Sequence, residues 1–554
     1  MPPFPPAAAR RSPPRTGRSP RPGRRARPTR SALVVVAAVL SVATATGVLM
    51  PVPGASATQA GTLRRQSEAT EPGSAATAPA ATAGTSATET PSYVPGQVIV
   101  EYGSGTTPAA QIASARAAGA EGAAGDTEEA APSEAPGPLQ VVRVRAGTSV
   151  ASAVARLRRT PGVRYAVPDY VARVATAPAP SGLAAARARL AEVLNPTPPA
   201  FIPINVGAGH AAGDWEQLQW NFVGQFGIGA PQAWGNLIAD HAAGGRGVTV
   251  AVLDTGVAFR NWKRFRRSPG FLRSQFVAGR DFVNRRTPPL DRNGHGTFVA
   301  GEIAEATDIP YGLPGLAYGV KLMPVRVLNS AGEGDALTIA KGIRFAVKHH
   351  AQVINLSLEF PGAISAANVP ELISALRFAA ARHVFVAAAA GNDSTSAIPY
   401  PARASGVVAV GATTEHGCLA DYSNYGHHLS LVAPGGGPDA ALSDDPNCHP
   451  ETTPGRDIFQ VSFLGTSVRH FGLPAGYEGT SMATPEVAGT AALVIASGVL
   501  GAHPTPRALA ARLAETATQI GGPTDHHVYG AGLLNAAAAT GQGGPGALVS
   551  GHTR

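Results

Sequence analysis

The sequence predicts an α/β protein: a mostly parallel sheet with helices on both faces, preceded by a small α+β domain. Three observations carry this. After Trp215, short β-branched apolar runs alternate with helix-periodic ones, the pattern of a parallel sheet covered on both sides. Between Tyr93 and Val174 there are two strand-helix-strand passages, as in a split, ferredoxin-like domain. A Pro/Ala-rich stretch without periodicity, Ala175 to Asp214, separates the two.

The chain of 554 residues is long enough for several domains, and its formal net charge is +9. The charge does not point to a nucleic-acid partner. Residues 1–57 hold nine arginines and no acid, which leaves 36 basic against 36 acidic residues in the remainder. That segment runs from Arg/Pro-rich sequence into the apolar stretch Ala32 to Met50 and then Ala55-Ser56-Ala57, the pattern of a signal peptide cleaved after Ala57. If it were not cleaved, the same stretch would serve as a membrane anchor. Arg24-Arg25 leaves the export route open. No second apolar span of about twenty residues follows, so the body is expected to be secreted and extracellular.

Residues 58–90 are Ala, Thr, Gly, Ser and Pro with few large apolar groups, and are expected to be a disordered linker. Residues 91–174 form the small domain. Gln97 to Tyr102 reads as a strand, followed by an Ala-rich helical stretch and a second strand, Leu139 to Val144. Val150, Val154 and Leu157 recur at helical spacing behind Thr148 or Ser149 as cap, and Gly162 ends that helix before Val163 to Val167 resume extended structure.

In the main body, residues 215–545, buried strands are expected at Val248 to Leu253, Lys321 to Leu328, Gln352 to Leu358, Val384 to Ala389 and Val407 to Val410. Helices are expected at Gly296 to Glu305, Asp335 to His350 and Pro370 to His383, and residues 546–554 read as a tail. Ligands of such sheets sit beyond the carboxyl ends of the strands. Two cysteines occur, Cys418 and Cys448; in an oxidising compartment they can form one disulfide closing a surface loop, the alternative being two free thiols. With no C-x-x-C pair and no H-E-x-x-H, zinc chemistry has no support.

The residues that carry chemistry stand at element ends. Ser481 lies in GTSMATPEVAG, Gly479 to Gly489, at the start of a helix apolar nearly all round up to Gly498 and therefore buried. Its hydroxyl is placed at the positive end of the helix dipole, where developing negative charge is favoured. Pro485 is expected in the first turn, where a missing N–H costs nothing. Asp254 ends the strand VTVAVL in Asp254-Thr255-Gly256; no second Asp-Thr-Gly or Asp-Ser-Gly occurs, which excludes the paired carboxylates of an aspartic peptidase. His295 stands between two glycines ahead of a helix whose Ala300, Gly301 and Ala304 allow close packing. Asn392 terminates a strand in Ala389-Ala390-Gly391-Asn392. Acyl transfer needs this inventory: a hydroxyl nucleophile, an imidazole base, a carboxylate that fixes its tautomer, and an oxyanion donor.

The motifs VAVLDTG, NGHGT, AAAAGN and GTSMATP, in the order Asp, His, Asn, Ser, resemble the subtilisin family of serine peptidases over about Trp215 to Ala539. The resemblance implies Ser481 as nucleophile, His295 as general base and then acid, and Asp254 as the residue that orients the imidazole. Asn392 and the Ser481 backbone N–H would hold the oxyanion. It implies protein or peptide substrates bound as an added strand along Leu356-Ser357-Leu358, with Ala389, Ala390 and Gly391 walling the first pocket. The small domain, whose QVIVEY and VRYAVPDY are similar to segments preceding family members, would be an inhibitory propeptide and intramolecular partner, cut off within residues 175–214. The expected activity is that of a serine endopeptidase made as a zymogen.

Two residues depart from the family pattern. Glu359 stands where glycine is usual, making the pocket rim acidic and implying a modest preference for basic or polar residues near the cleaved bond. Glu486 stands where histidine is usual, in the helix after the nucleophile. No cofactor is required for the chemistry. Calcium as a structural ion is a family habit, and Asp281, Asp291 and Asp308 lie in suitable loops, although Lys263 falls where a carboxylate ligand is expected. A catalytically silent binding protein on the same fold is the alternative reading. An α/β-hydrolase esterase is disfavoured: its nucleophile motif is G-x-S-x-G after a strand, whereas Ala483 stands two after Ser481 and the Asp and His lie upstream of the serine.

Overall fold

A computed structural model describes residues 92–122, 139–175, 204–207, 210–213, 215–307, 312–451, 455–522 and 526–542. The expected signal segment, the linker 58–90 and the tail lie outside these residues. The small domain is built from β1 (Tyr93–Tyr102), α1 (Pro108–Ala117), β2 (Ala120–Gly122), β3 (Leu139–Val144), α2 (Val150–Arg158) and β4 (Val163–Val174). Its strands lie in the order β4-β1-β3-β2 and pair antiparallel. Side-chain oxygens of Thr107 and Ser149 cap the two helices, accepting from Ala110 N–H at 3.3 Å and Ser152 N–H at 3.1 Å. The period of two in β1 splits its side chains between faces. Val98, Val100 and Tyr102 pack under the helices with Val154 and Leu157, whereas Ile99 joins Val167 and Leu337 of the main body.

Within the stretch expected as a plain connector, β5 (Ile204–Gly207) and β6 (His210–Gly213) pair as an antiparallel hairpin, a departure from that expectation. The main body then has α3 (Trp215–Leu218), α4 (Ala230–Ala239), β7 (Thr249–Asp254), β8 (Arg280–Asp281) and α5 (His295–Ala304). It continues with β9 (Lys321–Arg326), β10 (Glu333–Asp335), α6 (Ala336–Lys348), β11 (Val353–Leu356), β12 (Leu358–Glu359), α7 (Pro370–Ala381), β13 (Phe385–Ala389), β14 (Val408–Thr413) and β15 (Leu431–Pro434). After these come the two-residue strands β16 (Ser462–Phe463) and β17 (Phe471–Gly472), and α8 (Thr480–Ser497).

Seven strands form one sheet in the order β15-β14-β13-β11-β7-β9-β8, every adjacent pair parallel. Alternation again assigns the faces. Val250, Val252, Phe385, Ala387, Val408 and Val410 pack under α4, α5 and α8, while Ala251, Leu253, Ile354, Val386, Ala388 and Ala409 pack under α6 and α7. Burying each Val, Leu, Ile or Phe contributes about 1.5–3 kcal/mol, so both faces must stay covered for the sheet to stand.

Two differences from the expected elements matter for function. The run expected as one strand from Gln352 to Leu358 breaks at Ser357, because there the chain leaves the parallel sheet. Its continuation β12 pairs with β4 instead, Leu358 opposite Val174 and Glu359 opposite Arg173. Correspondingly β4 runs on to Val174, past the expected Val167, since its second half finds antiparallel partners in β12 and β10 of the main body. The other difference is the pair of outer strands, β8 and β15, which complete the sheet.

Candidate active site

Asp254 ends β7 at the carboxyl edge of the sheet, fully buried, with one oxygen accepting the Thr255 N–H at 2.6 Å. His295 is the first residue of α5, and its Nδ1 lies 2.9 and 3.0 Å from the two Asp254 oxygens. With a carboxylate facing Nδ1, that nitrogen carries the proton and Nε2 is left as the acceptor. Asp291 fixes the start of α5: it accepts from the N–H groups of Asn293, Gly294 and Thr297 at 2.8, 3.0 and 2.9 Å. A carboxylate there also suits the positive end of the helix. Gly296 allows the approach, because a Cβ at that position would lie 2.3 Å from the Gly256 carbonyl and 2.9 Å from Asp254 Oδ1.

Ser481 is the second residue of α8, buried, and α8 packs directly against α5. Its hydroxyl donates to the Ser357 carbonyl at 3.2 Å. His295 Nε2 has no hydrogen-bond partner among the described residues, so hydroxyl and imidazole are not joined in this state. Pro485 corrects an expectation: it is not in the first turn but in the second, where its missing N–H would orphan the carbonyl of Ser481. The Ser357 hydroxyl takes that place, donating to Ser481 O at 2.9 Å, and is itself held by Asn355 Nδ2 at 3.0 Å.

Asn392 follows β13. Its Oδ1 accepts the Thr480 N–H at 2.9 Å, which fixes the amide orientation and leaves Nδ2 a buried donor without a partner among the described residues. Ala389 and Ala390 are fully buried in front of it, and Gly391 adopts φ +99° with its N–H on Thr480 Oγ1 at 3.2 Å.

Between these groups lies the end of the small domain. Glu333, Gly334 and Asp335 of β10 pair with Arg173, Ala172 and Val171 on one side, and β12 pairs with Arg173 and Val174 on the other. The Val174 N–H donates to Gly332 O at 2.9 Å, and the Ala175 N–H to Ser357 O at 3.4 Å. The carbonyl of Ala175 then accepts the Ser481 N–H at 3.3 Å. Of the residues expected to bind substrate, Ser357, Leu358 and Glu359 line this strand, whereas Leu356 stays in the parallel sheet. The opposite wall, β10, is not apparent in the sequence; its three residues carry no apolar pattern, and only the last of them, Asp335, is marked, as the cap of α6.

Cys418 and Cys448 are joined in a disulfide. Glu486 is fully buried behind the serine helix, accepting from Asn221 Nδ2 at 2.7 Å, and burial raises its carboxyl and that of neighbouring Glu302 well above the usual range. Asp281 and Asp291 do not fit a calcium site, because their oxygens are taken by protein donors, in Asp281 including Arg326 at 3.1 Å. Asp308 lies outside the described residues. Among the described residues no group of three or more His, Cys, Asp or Glu side chains could hold a metal ion.

A parallel sheet with a buried carboxylate–imidazole pair at its carboxyl edge and a serine at a helix N-terminus beneath a docked strand defines a serine-type endopeptidase with its prodomain. The chain belongs to the subtilase family, whose model matches residues 245–532; a model of the fervidolysin N-terminal prodomain matches residues 79–169. It is similar to Subtilisin Savinase of Lederbergia lenta, 36% identical over 296 residues that make up 53% of this chain and 91% of that protein. An alkaline protease of Shouchella clausii is likewise 36% identical over 296 residues, 53% of this chain and 65% of the relative. The cell wall-associated protease of Bacillus subtilis (strain 168) is 39% identical over 247 residues, 45% of this chain and 23% of the relative. Among solved structures, a protease from Pseudoalteromonas arctica PAMC 21717 is 29% identical, covering 58% of this chain and 96% of that one with a TM-score of 0.47.

Proposed function

We propose that the protein is an exported endopeptidase, made as a zymogen, that hydrolyses peptide bonds through an acyl-enzyme on Ser481 and first cuts itself between Ala175 and Thr176. The observation that carries this is the Ala175 carbonyl on the Ser481 N–H at 3.3 Å, at the end of a strand paired on both edges. Attack on a peptide needs its carbonyl held in just such an approach to the nucleophile.

The steps follow from the surrounding groups. Ser481 Oγ turns from Ser357 O toward His295 Nε2 by rotation about χ1. As Oγ bonds to the carbonyl carbon, its proton passes to Nε2, and Asp254 offsets the imidazolium charge through Nδ1. The carbonyl oxygen becomes negative and is held by the Ser481 N–H and Asn392 Nδ2. The imidazolium gives its proton to the departing amine as the C–N bond breaks. A water then repeats the sequence on the ester, returning the hydroxyl.

Before release, the cut prodomain occupies the cleft and inhibits its own enzyme. Export is supported by the residues 1–57 pattern and by the Cys418–Cys448 disulfide, a bond that persists in oxidising compartments. No helix among the described residues is long and apolar enough to cross a membrane. Labelling with a fluorophosphonate tests the reading: self-processed protein takes one label on Ser481, and a protein that folds and processes nowhere and takes no label is the silent alternative.

A further inference from the structure

We infer that Glu359 and Asp393 form an acidic subsite that selects a cationic side chain, arginine by preference, on the residue two before the one whose carbonyl is attacked. This rests on the reading that Ala175 marks that carbonyl. The prodomain shows the subsite filled. Arg173 stands two residues before Ala175, and the register places it opposite Glu359 on one flank and Glu333 on the other. Its guanidinium brings Nε to 3.5 Å from Glu359 Oε1 and Nη2 to 3.2 Å from Asp393 Oδ1.

The two acids differ in what they contribute. The Glu359 side chain is 3% exposed, and its Oε2 has no hydrogen-bond partner among the described residues. That oxygen lies where a Cβ on Gly391 would meet it at 2.5 Å, which puts the carboxylate against the wall beside Asn392. A carboxylate so enclosed is costly unless opposite charge enters with the bound chain. Burial, and then the charge of Asp393, push its pKa up to about 7, and Arg173 pulls the other way. Asp393 is 43% exposed and sits at the rim, where it contributes less energy but orients the incoming fork. A planar guanidinium can reach both carboxylates at once, which a lysine ammonium does less well.

Discrimination then works in two directions. A neutral side chain leaves Glu359 uncompensated, and an acidic one meets two like charges. Both penalties fall on the same residue of the substrate, so the preference is confined to that position.

The test uses enzyme obtained by self-processing of the full-length chain and three fluorogenic peptides built on Ala-X-Val-Ala, X being Arg, Gln or Glu. We expect kcat/KM at pH 8 to be about tenfold higher for Arg than for Gln, with Glu lowest. In Asp393→Lys, and in Glu359→Gln where it folds, the Arg-to-Gln ratio falls toward one. Equal rates on the Arg and Gln peptides in the wild type overturn the subsite, as does an Arg preference unchanged in Asp393→Lys and Glu359→Gln together. Cleavage of none of the peptides by enzyme that takes the fluorophosphonate overturns the register on which it rests, and absence of the label overturns the hydrolytic reading itself.

Discussion

The backbone N–H of Ser481 donates to the carbonyl oxygen of Ala175 across 3.3 Å, joining the start of α8 to the residue that follows the last strand of the prodomain. The new N-terminus after processing is therefore expected at Thr176, reading Thr-Ala-Pro-Ala-Pro. N-terminal sequencing of the purified wild-type protein checks it. Ser481→Ala protein should keep residues 175 and 176 joined.

Asn392 Nδ2 is a buried donor with no partner among the described residues, so removing it loses little in the ground state and much when the oxygen becomes charged. Asn392→Ala should lower kcat with KM nearly unchanged, with a loss of stability besides because the Thr480 N–H is left without its acceptor. The expected size is that measured for the oxyanion-hole asparagine of subtilisin itself, about 10²–10³. Steady-state kinetics on one peptide separates the two constants.

Gly296→Ala should damage activity more than folding. Its Cβ would sit 2.3 Å from the Gly256 carbonyl and 2.9 Å from Asp254 Oδ1, so α5 must shift and carry His295 with it. A displacement of about 1 Å at a catalytic group can cost on the order of 10²-fold in rate. Comparing kcat with the midpoint of urea unfolding distinguishes this from general destabilisation.

Retention of the cut prodomain should depend on pH. Burial raises the Asp169 carboxyl well above its usual range, helped by Asp335 and Glu371 and opposed by Lys341. Glu371 is raised to about 8, chiefly by burial, with Asp335 and Glu101 adding to it. On separation these carboxyls meet water and return toward the ordinary range near about 4–4.5. The complex thus holds more protons than its separated parts between that range and about pH 8, and it weakens as pH rises through the window. Each carboxyl that titrates fully on release contributes about 1.4 kcal/mol per pH unit. Gel filtration of processed protein should show the prodomain co-eluting at pH 5.5 and lost at pH 8, with a flatter profile in Glu371→Gln.

Much of this architecture is legible in the sequence because it is written locally. A run such as VTVAVL before Asp254 is a buried strand by composition, and Asp335 caps α6, accepting from the Thr338 N–H at 2.8 Å, in sight of its periodic apolar face. What is not legible depends on pairing between distant segments. Nothing near Glu333 announces that it will lie opposite Arg173, and Glu359 shows an acidic side chain without showing the cation that meets it. Pro485 reads as costless from its place in the sequence; its true compensation comes from the Ser357 hydroxyl, 124 residues upstream of the carbonyl it serves.

Removing β4 would uncover two unpaired strand margins, and their shortness bears on how the main body would behave in solution. β10 spans Glu333–Asp335 and β12 only Leu358–Glu359, each ending in or bearing a carboxylate. Margins this brief and negatively charged are poor templates for stacking against another molecule of the enzyme. An empty cleft can therefore stay open to a single extended chain without inviting self-association.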